Sequence, residues 1–180
     1  MDHTLMELQT KRLLLRPFRA EDAPAFEAFA NGAGYRQFLG NNHPDAATLV
    51  SNNLAIDWER ELSWVVCLDG EVVGSIFLGI QKEDGVAELA CLLSPDVWGR
   101  GIAGEAGRAV VDYAFGELGL HKVFARAQGE NAASRGAMEK AGWKLEGVLR
   151  EHRSDVSGNR VDEVIYGMTR AEWQAARRDT

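Results

Sequence analysis

Glycines at positions 99, 101 and 104 stand at the head of an apolar series with helical spacing, Ile102, Ala106, Ala109, Val110, Tyr113 and Ala114. A chain builds a phosphate cradle this way. The first turn of a helix carries amide N–H groups with no intrahelical acceptor, and the helix dipole adds about half a positive charge there. Side chains would obstruct it. Glycine at 99 and 101 removes the Cβ atoms that would keep a diphosphate from those amides and allows positive φ where the loop folds back. The segment Trp98, Gly99, Arg100, Gly101, Ile102, Ala103 and Gly104 is therefore the expected anion site, with Arg100 as its cation. A strand-to-helix turn that binds nothing rarely needs three glycines.

The string Gly99-Arg100-Gly101-Ile102-Ala103-Gly104 also reads G-x-G-x-x-G, the fingerprint of dinucleotide-binding folds. That fingerprint opens directly out of a strand and is followed about 20 residues on by an acid that holds the ribose. Neither condition is met. Ser94-Pro95-Asp96-Val97-Trp98 separates the preceding apolar run from the glycines, and the next apolar run, 121–127, ends without a carboxylate. No Gly-Lys-Ser/Thr is present, which argues against a P-loop.

A chain of 180 residues with 46% hydrophobic and 26% charged content suits one globular domain over 1–180. Strands are expected over 13–18, 63–68, 72–80, 86–93, 122–127, 143–152 and 161–168. Asp69-Gly70 is a two-residue hairpin signal. Helices are expected over 21–30, 44–58, 102–118, from Asn131 to just before Gly142, and over 170–178. The result is an α/β fold with a mixed, mostly antiparallel sheet of about seven strands. Cys67 and Cys91 lie in apolar runs and read as buried reduced thiols rather than as a disulfide or metal site. The first residues lack the apolar core of a signal peptide, and no run reaches the ~20 apolar residues that span a bilayer, so a cytoplasmic protein is expected. A net charge of −7 disfavours nucleic acid and mildly favours a cationic acceptor. Glu21, Asp22, Asp45, Asp57, Glu59 and Glu61 read as solvated helix surface and helix ends.

The segment SPDVWGRGIAGEA resembles motif A of the GCN5-related N-acetyltransferases, whose loop holds the diphosphate of acetyl-CoA. LQTKRLLLRPFRAEDAPAFEAF, AELACLLSP and ENAASRGAMEKAGWKLEGVLREHRSDVSGNRVDEVIYGMTRAEW are similar to the RimJ/RimL-type branch, which acetylates ribosomal-protein N-termini and various small amines. The resemblance runs from about residue 8 to 173. The superfamily pattern often begins with Gln or Arg where this chain has Trp98.

This resemblance implies acetyl-CoA as cosubstrate, no metal, and a V-shaped splay between the strand ending at Leu93 and the strand starting at Lys122, into which the pantetheine arm inserts. It makes the Leu93 backbone N–H face the thioester carbonyl. It places Asn131 on the pantetheine and the Ser134 hydroxyl near the sulfur, although plain helix capping also accounts for both. A tyrosine that serves as the acid in other branches falls here on Met138, which leaves the departing thiolate to Ser134 or water. Glu88 is the expected base, with Glu151 and His152 as second choices. The helix over 44–58 becomes a substrate lid, and Tyr35, Phe38, Asn41, Asn42 and Trp58 are expected to line the acceptor groove. The implied partner is an amine, either a peptide N-terminus or a small molecule, with no nucleic acid or membrane and with a homodimer left open.

An α-amino group is about a tenth neutral at pH 7, whereas a lysine amine is neutral far below a thousandth of the time, so a weak or water-relayed base suits the former. A small amine with a depressed pKa fits equally well. Two other classes stay in view: a silent acyl-CoA-binding module and a nicotinamide-dependent oxidoreductase. A thermal-shift comparison separates the last of these. Acetyl-CoA is expected to raise the melting temperature and NAD to leave it unchanged; the reverse result rejects the loop assignment.

Overall fold

The computed structural model describes residues 7–30, 45–57 and 59–178. Chain order runs β1 (Leu8–Gln9), β2 (Leu13–Arg16), a 3-10 turn at Ala20–Asp22, α1 (Ala23–Ala30), α2 (Ala46–Leu54), β3 (Glu61–Leu68), β4 (Glu71–Gln81) and β5 (Val86–Leu93). After a second 3-10 turn at Pro95–Val97 come α3 (Ile102–Gly116), β6 (Lys122–Gln128), α4 (Ala132–Lys140), β7 (Lys144–Ser154), β8 (Arg160–Thr169) and α5 (Arg170–Arg178). The strands form an eight-stranded sheet in the order β1-β2-β3-β4-β5-β6-β8-β7. Every neighbouring pair is antiparallel except β5 and β6.

β3 shows why the left half of the sheet is rigid. Its residues from Leu62 to Leu68 are all buried, so the strand is covered on both faces. Alternate side chains divide between two cores: Leu62, Trp64, Val66 and Leu68 pack with α3, while Val65 and Cys67 pack with Phe18, Phe26, Phe29 and Val50 of the α1–α2 side. Asp69 and Gly70 join β3 to β4 with φ of 52° and 86°, the double positive φ of a two-residue hairpin turn. On the far side, α3 buries Ile102, Ala106, Val110 and Ala114, one stripe of a 3.6-residue period, against the sheet.

The parallel pair is short, and that is what opens the sheet. β5 and β6 pair only where Val86, Ala87 and Glu88 face Lys122, Val123 and Phe124. Beyond that point β5 stays on β4 up to Leu93, and β6 stays on β8 up to Gln128. Each arm follows its own antiparallel partner, and a V-shaped split develops between them.

Several local expectations shift. The sheet gains the two-residue β1, too short to carry a periodic signal. The segment 21–30 starts as a 3-10 turn, and the helix expected over 44–58 spans Ala46–Leu54, capped by Asp45, whose carboxylate accepts from Thr48 N–H at 2.7 Å. Asp22 is not solvated helix surface. Its side chain is buried and forms a forked pair with Arg16, NH2 to Oδ1 at 2.6 Å and NH1 to Oδ2 at 2.9 Å, and it also accepts from Arg19 N–H. A buried guanidinium needs a bidentate anion, and the 3-10 turn before α1 places Asp22 to supply it.

Burial alone would raise the Asp22 carboxyl, but the hydrogen bonds from Arg16 and Arg19 outweigh it and hold the group below its ordinary range. A depressed folded pKa gives stability that is present above the unfolded value and lost as pH falls through the folded one. Urea melts of the wild type are therefore expected to weaken as pH drops below the ordinary aspartate range. Asp22→Ala, which strands Arg16 in the interior, is expected to cost about 3–5 kcal/mol at neutral pH and to flatten that acid dependence.

Candidate active site: the split between β5 and β6

The floor of the split is a loop whose shape comes from its own sequence. At the end of β5, Ser94 N–H donates to Val73 O on β4 at 2.8 Å, and Ser94 caps the Pro95–Val97 turn. Alternation along an antiparallel strand then turns both the N–H and the C=O of Leu93 away from β4, toward the split. The Leu93 carbonyl accepts the Trp98 indole N–H at 3.0 Å. Its N–H faces the gap. Trp98 thus closes the turn and fixes the mouth of the cleft, although nearly half of it is exposed.

Gly99 and Gly101 adopt φ of 72° and 75°. Gly101 is the residue that opens α3, whose first intrahelical bond runs from Glu105 N–H to Gly101 O at 3.1 Å. The amides of Ile102, Ala103 and Gly104 precede that bond and point out of the helix end. A Cβ at Gly99 or Gly104 would meet nothing within 4 Å, and at Gly101 only the Arg12 guanidinium, at 3.7 Å. Internal packing does not demand these glycines. Gly99 and Gly101 provide positive φ, and all three leave a bare outer face, which fits a diphosphate resting on the amides.

The second arm ends at α4. Asn131 caps that helix, its Oδ1 accepting from Ser134 N–H at 3.0 Å, which leaves its NH2 for another acceptor. Ser134 is half-buried, and Met138 packs against the main core. Asn131 and Ser134 stand at the open end of the split, because α4 follows β6 with only a short turn between.

Glu88 lies on the other face of the sheet from α3. Its carboxylate is 3.5 Å from Arg126 Nε, both side chains being about one-third exposed. The same face carries more charge. Arg126 also approaches the buried Glu163 at 3.8 Å, and Glu163 receives a hydrogen bond from Arg153 at 3.1 Å and has His152 Nε2 at 3.7 Å. Gln128 and Glu163 are cross-strand partners, and Gln128 Nε2 and Glu163 Oε2 are buried without a hydrogen-bond partner among the described residues. Of the second-choice bases, His152 is half-exposed beside Glu163, whereas Glu151 has φ of 51° and donates its backbone N–H to Asp162.

The structure brings Leu93, Trp98, the glycine loop, Asn131 and Ser134 to the split and puts Glu88 at its closed end. Tyr35, Phe38, Asn41, Asn42 and Trp58 lie outside the described residues. Sequence reasoning missed Arg126 and Glu163. The alternation of Lys122, Phe124, Arg126 and Gln128 with small apolar residues could have put Arg126 on the Glu88 face, but nothing local marks Glu163. Burial pushes the Cys91 thiol up to about 12, and Cys67 is raised by burial as well, so both behave as inert thiols.

Residues 12–144 match the family model of the acetyltransferase (GNAT) domain. The chain belongs to that family. It is 29% identical over 175 residues to the uncharacterized N-acetyltransferase YnaD of Bacillus subtilis, covering 93% of this chain and 99% of that one. It is also 29% identical over 138 residues to spermidine N(1)-acetyltransferase of Escherichia coli, covering 75% and 74%. The acetyltransferase (GNAT family) from Bacillus anthracis superposes with a TM-score of 0.81 at 26% identity, over 93% of this chain and 100% of that one. The GNAT chain described here is an acetyl-CoA-dependent N-acetyltransferase. No helix among its described residues is long and apolar enough to cross a membrane.

Capping by Asn131 has a direct test. Asn131→Ala is expected to lower stability by about 1 kcal/mol in urea melts, whereas Asn131→Asp, which keeps the accepting oxygen, is expected to stay within a few tenths.

Proposed function

We propose that this GNAT enzyme moves the acetyl group of acetyl-CoA directly onto a primary amine, with a peptide N-terminal α-amine as the first acceptor class and small-molecule amines as the second. One observation supports it above the others: the split presents the Leu93 N–H between two strand arms, above a loop of bare helix-end amides. A thioester seated there would meet a fixed donor at the carbonyl oxygen, where negative charge develops.

In this reading the amides at 99–104 hold the diphosphate, with Trp98 closing the turn behind them. The Asn131 amide NH2 binds the pantetheine arm while its oxygen caps α4. The acceptor nitrogen attacks the carbonyl carbon, the new C–N bond forms, and the C–S bond breaks. Glu88 takes the proton from the amine, directly or through one water, and Arg126 holds its carboxylate in place. Ser134 Oγ donates a hydrogen bond to the departing thiolate, whose ordinary pKa of roughly 8.5 makes it a good leaving group. An α-amine needs only a weak base, which supports the peptide N-terminus. The likeness to a spermidine acetyltransferase supports the small amine, and the acidic surface suits either.

The deciding experiment follows acetyl-CoA consumption with Ala- and Ser-initiated peptides, polyamines and aminoglycosides. Turnover on one class names the acceptor; acetyl-CoA binding with no turnover on any of them leaves a silent acyl-CoA-binding module. Gly101→Glu is expected to abolish acetyl-CoA binding, since it puts bulk and negative charge against the diphosphate; wild-type affinity in that variant rejects the loop assignment. Glu88→Gln is expected to lower kcat by about 100-fold with the KM for acetyl-CoA unchanged, read in steady-state assays.

A further inference from the structure

The diphosphate loop is held from outside by a residue far away in the sequence. Arg12, in the turn between β1 and β2, donates NH1 to the Arg100 carbonyl at 3.0 Å and Nε to Glu105 Oε2 at 2.6 Å. Its backbone N–H donates to Glu105 Oε1 at 2.9 Å, and Thr10 Oγ1 donates to the same oxygen at 2.6 Å. Thr10 in turn accepts Leu13 N–H, so the turn and the first helical turn of α3 form one hydrogen-bonded unit. The third guanidinium nitrogen, NH2, lies 3.7 Å from where a Gly101 Cβ would stand, on the face of the loop that the glycines keep bare.

We infer that Arg12 is the positioning residue of the cofactor loop and the cation that its diphosphate meets, a role given to Arg100 by sequence spacing alone. This rests on the acetyl-CoA reading of the loop. Two effects act together. The fork from Arg12 to Arg100 O and Glu105 fixes the path of the loop through the positive-φ Gly99 and Gly101, so the helix-end amides are aimed before the ligand arrives. It also offsets Glu105, an acid in the first turn of α3 whose charge would otherwise oppose a phosphate there. Burial works against that charge, but the hydrogen bonds from Thr10 and Arg12 prevail and keep the Glu105 carboxyl below its usual range. The Arg12 side chain is 40% exposed.

The test is calorimetric titration of the full chain with acetyl-CoA, and displacement titration with S-acetylpantetheine, which keeps the thioester arm and lacks the nucleotide diphosphate. Arg12→Ala is expected to weaken acetyl-CoA about tenfold and leave S-acetylpantetheine within twofold, and Arg12→Ala with Glu105→Gln is expected to recover part of the loss. Arg12→Lys keeps the charge without the fork and is expected to recover less than half. Equal weakening of both ligands, no weakening of acetyl-CoA, or full recovery in Arg12→Lys overturns the inference. A wild-type chain that fails to bind acetyl-CoA sinks the cofactor reading itself, which separates the two failures.

Discussion

Two strands that part in the middle of a sheet expose backbone donors and acceptors on their facing edges, and everything else in this molecule is arranged around that exposure. β5 and β6 share three residue pairs and then diverge, β5 held by β4 and β6 by β8. An unpaired edge inside a protein is costly unless water or a ligand meets its hydrogen-bonding groups. Each arm instead continues along its own antiparallel ladder, β5 on β4 and β6 on β8. The outcome is a slot whose β5 edge presents the Leu93 N–H.

The loop at the mouth of the slot extends the same logic to the helix end. Trp98 ties the turn to the Leu93 carbonyl, so the strand end and the cradle move as one piece. Gly101 opens α3 with a left-handed residue that has no side chain to cap its own helix. The first amides of the helix are therefore left without a side-chain cap from that residue. α3 itself is immobilised by its buried stripe against the sheet, so the amides it presents are pre-aimed rather than assembled on binding.

The opposite face of the sheet has a different character. Glu88, Arg126, Glu163, Arg153 and His152 form a chain of charge across β5, β6, β8 and β7, with Glu163 buried beneath side chains that are themselves one-third to one-half exposed. A buried carboxylate among partly exposed cations orders their inner ends and leaves their tips in water. That arrangement lets the Glu88 face be polar and ordered at once, next to the two helices that close the other half of the same face.

The glycine loop, the Asp69-Gly70 hairpin and the cap at Asn131 were legible because each rests on backbone rules acting over a few residues, whereas Pro44 pointed to a helix start ahead of Ala46 and hid the cap at Asp45. The long β3 run was legible as a strand but not as a doubly covered one, since only packing divides Trp64 from Val65. Asp22 read as helix surface because nothing within a few residues says that Arg16 is buried beside it. Arg12 with Glu105, and Arg126 with Glu163, could not be paired from the sequence, because their partners come from strands and turns that only the sheet order brings together. The sequence by itself determined the local conformations: which residues turn, cap, alternate or leave a helix end bare, because φ, ψ and hydrogen-bonding preferences are properties of neighbours. Tertiary structure alone decided where the sheet opens and which charges meet there, because those follow from strand order and from which ladder each arm keeps, and both are settled by contacts between residues distant in the chain.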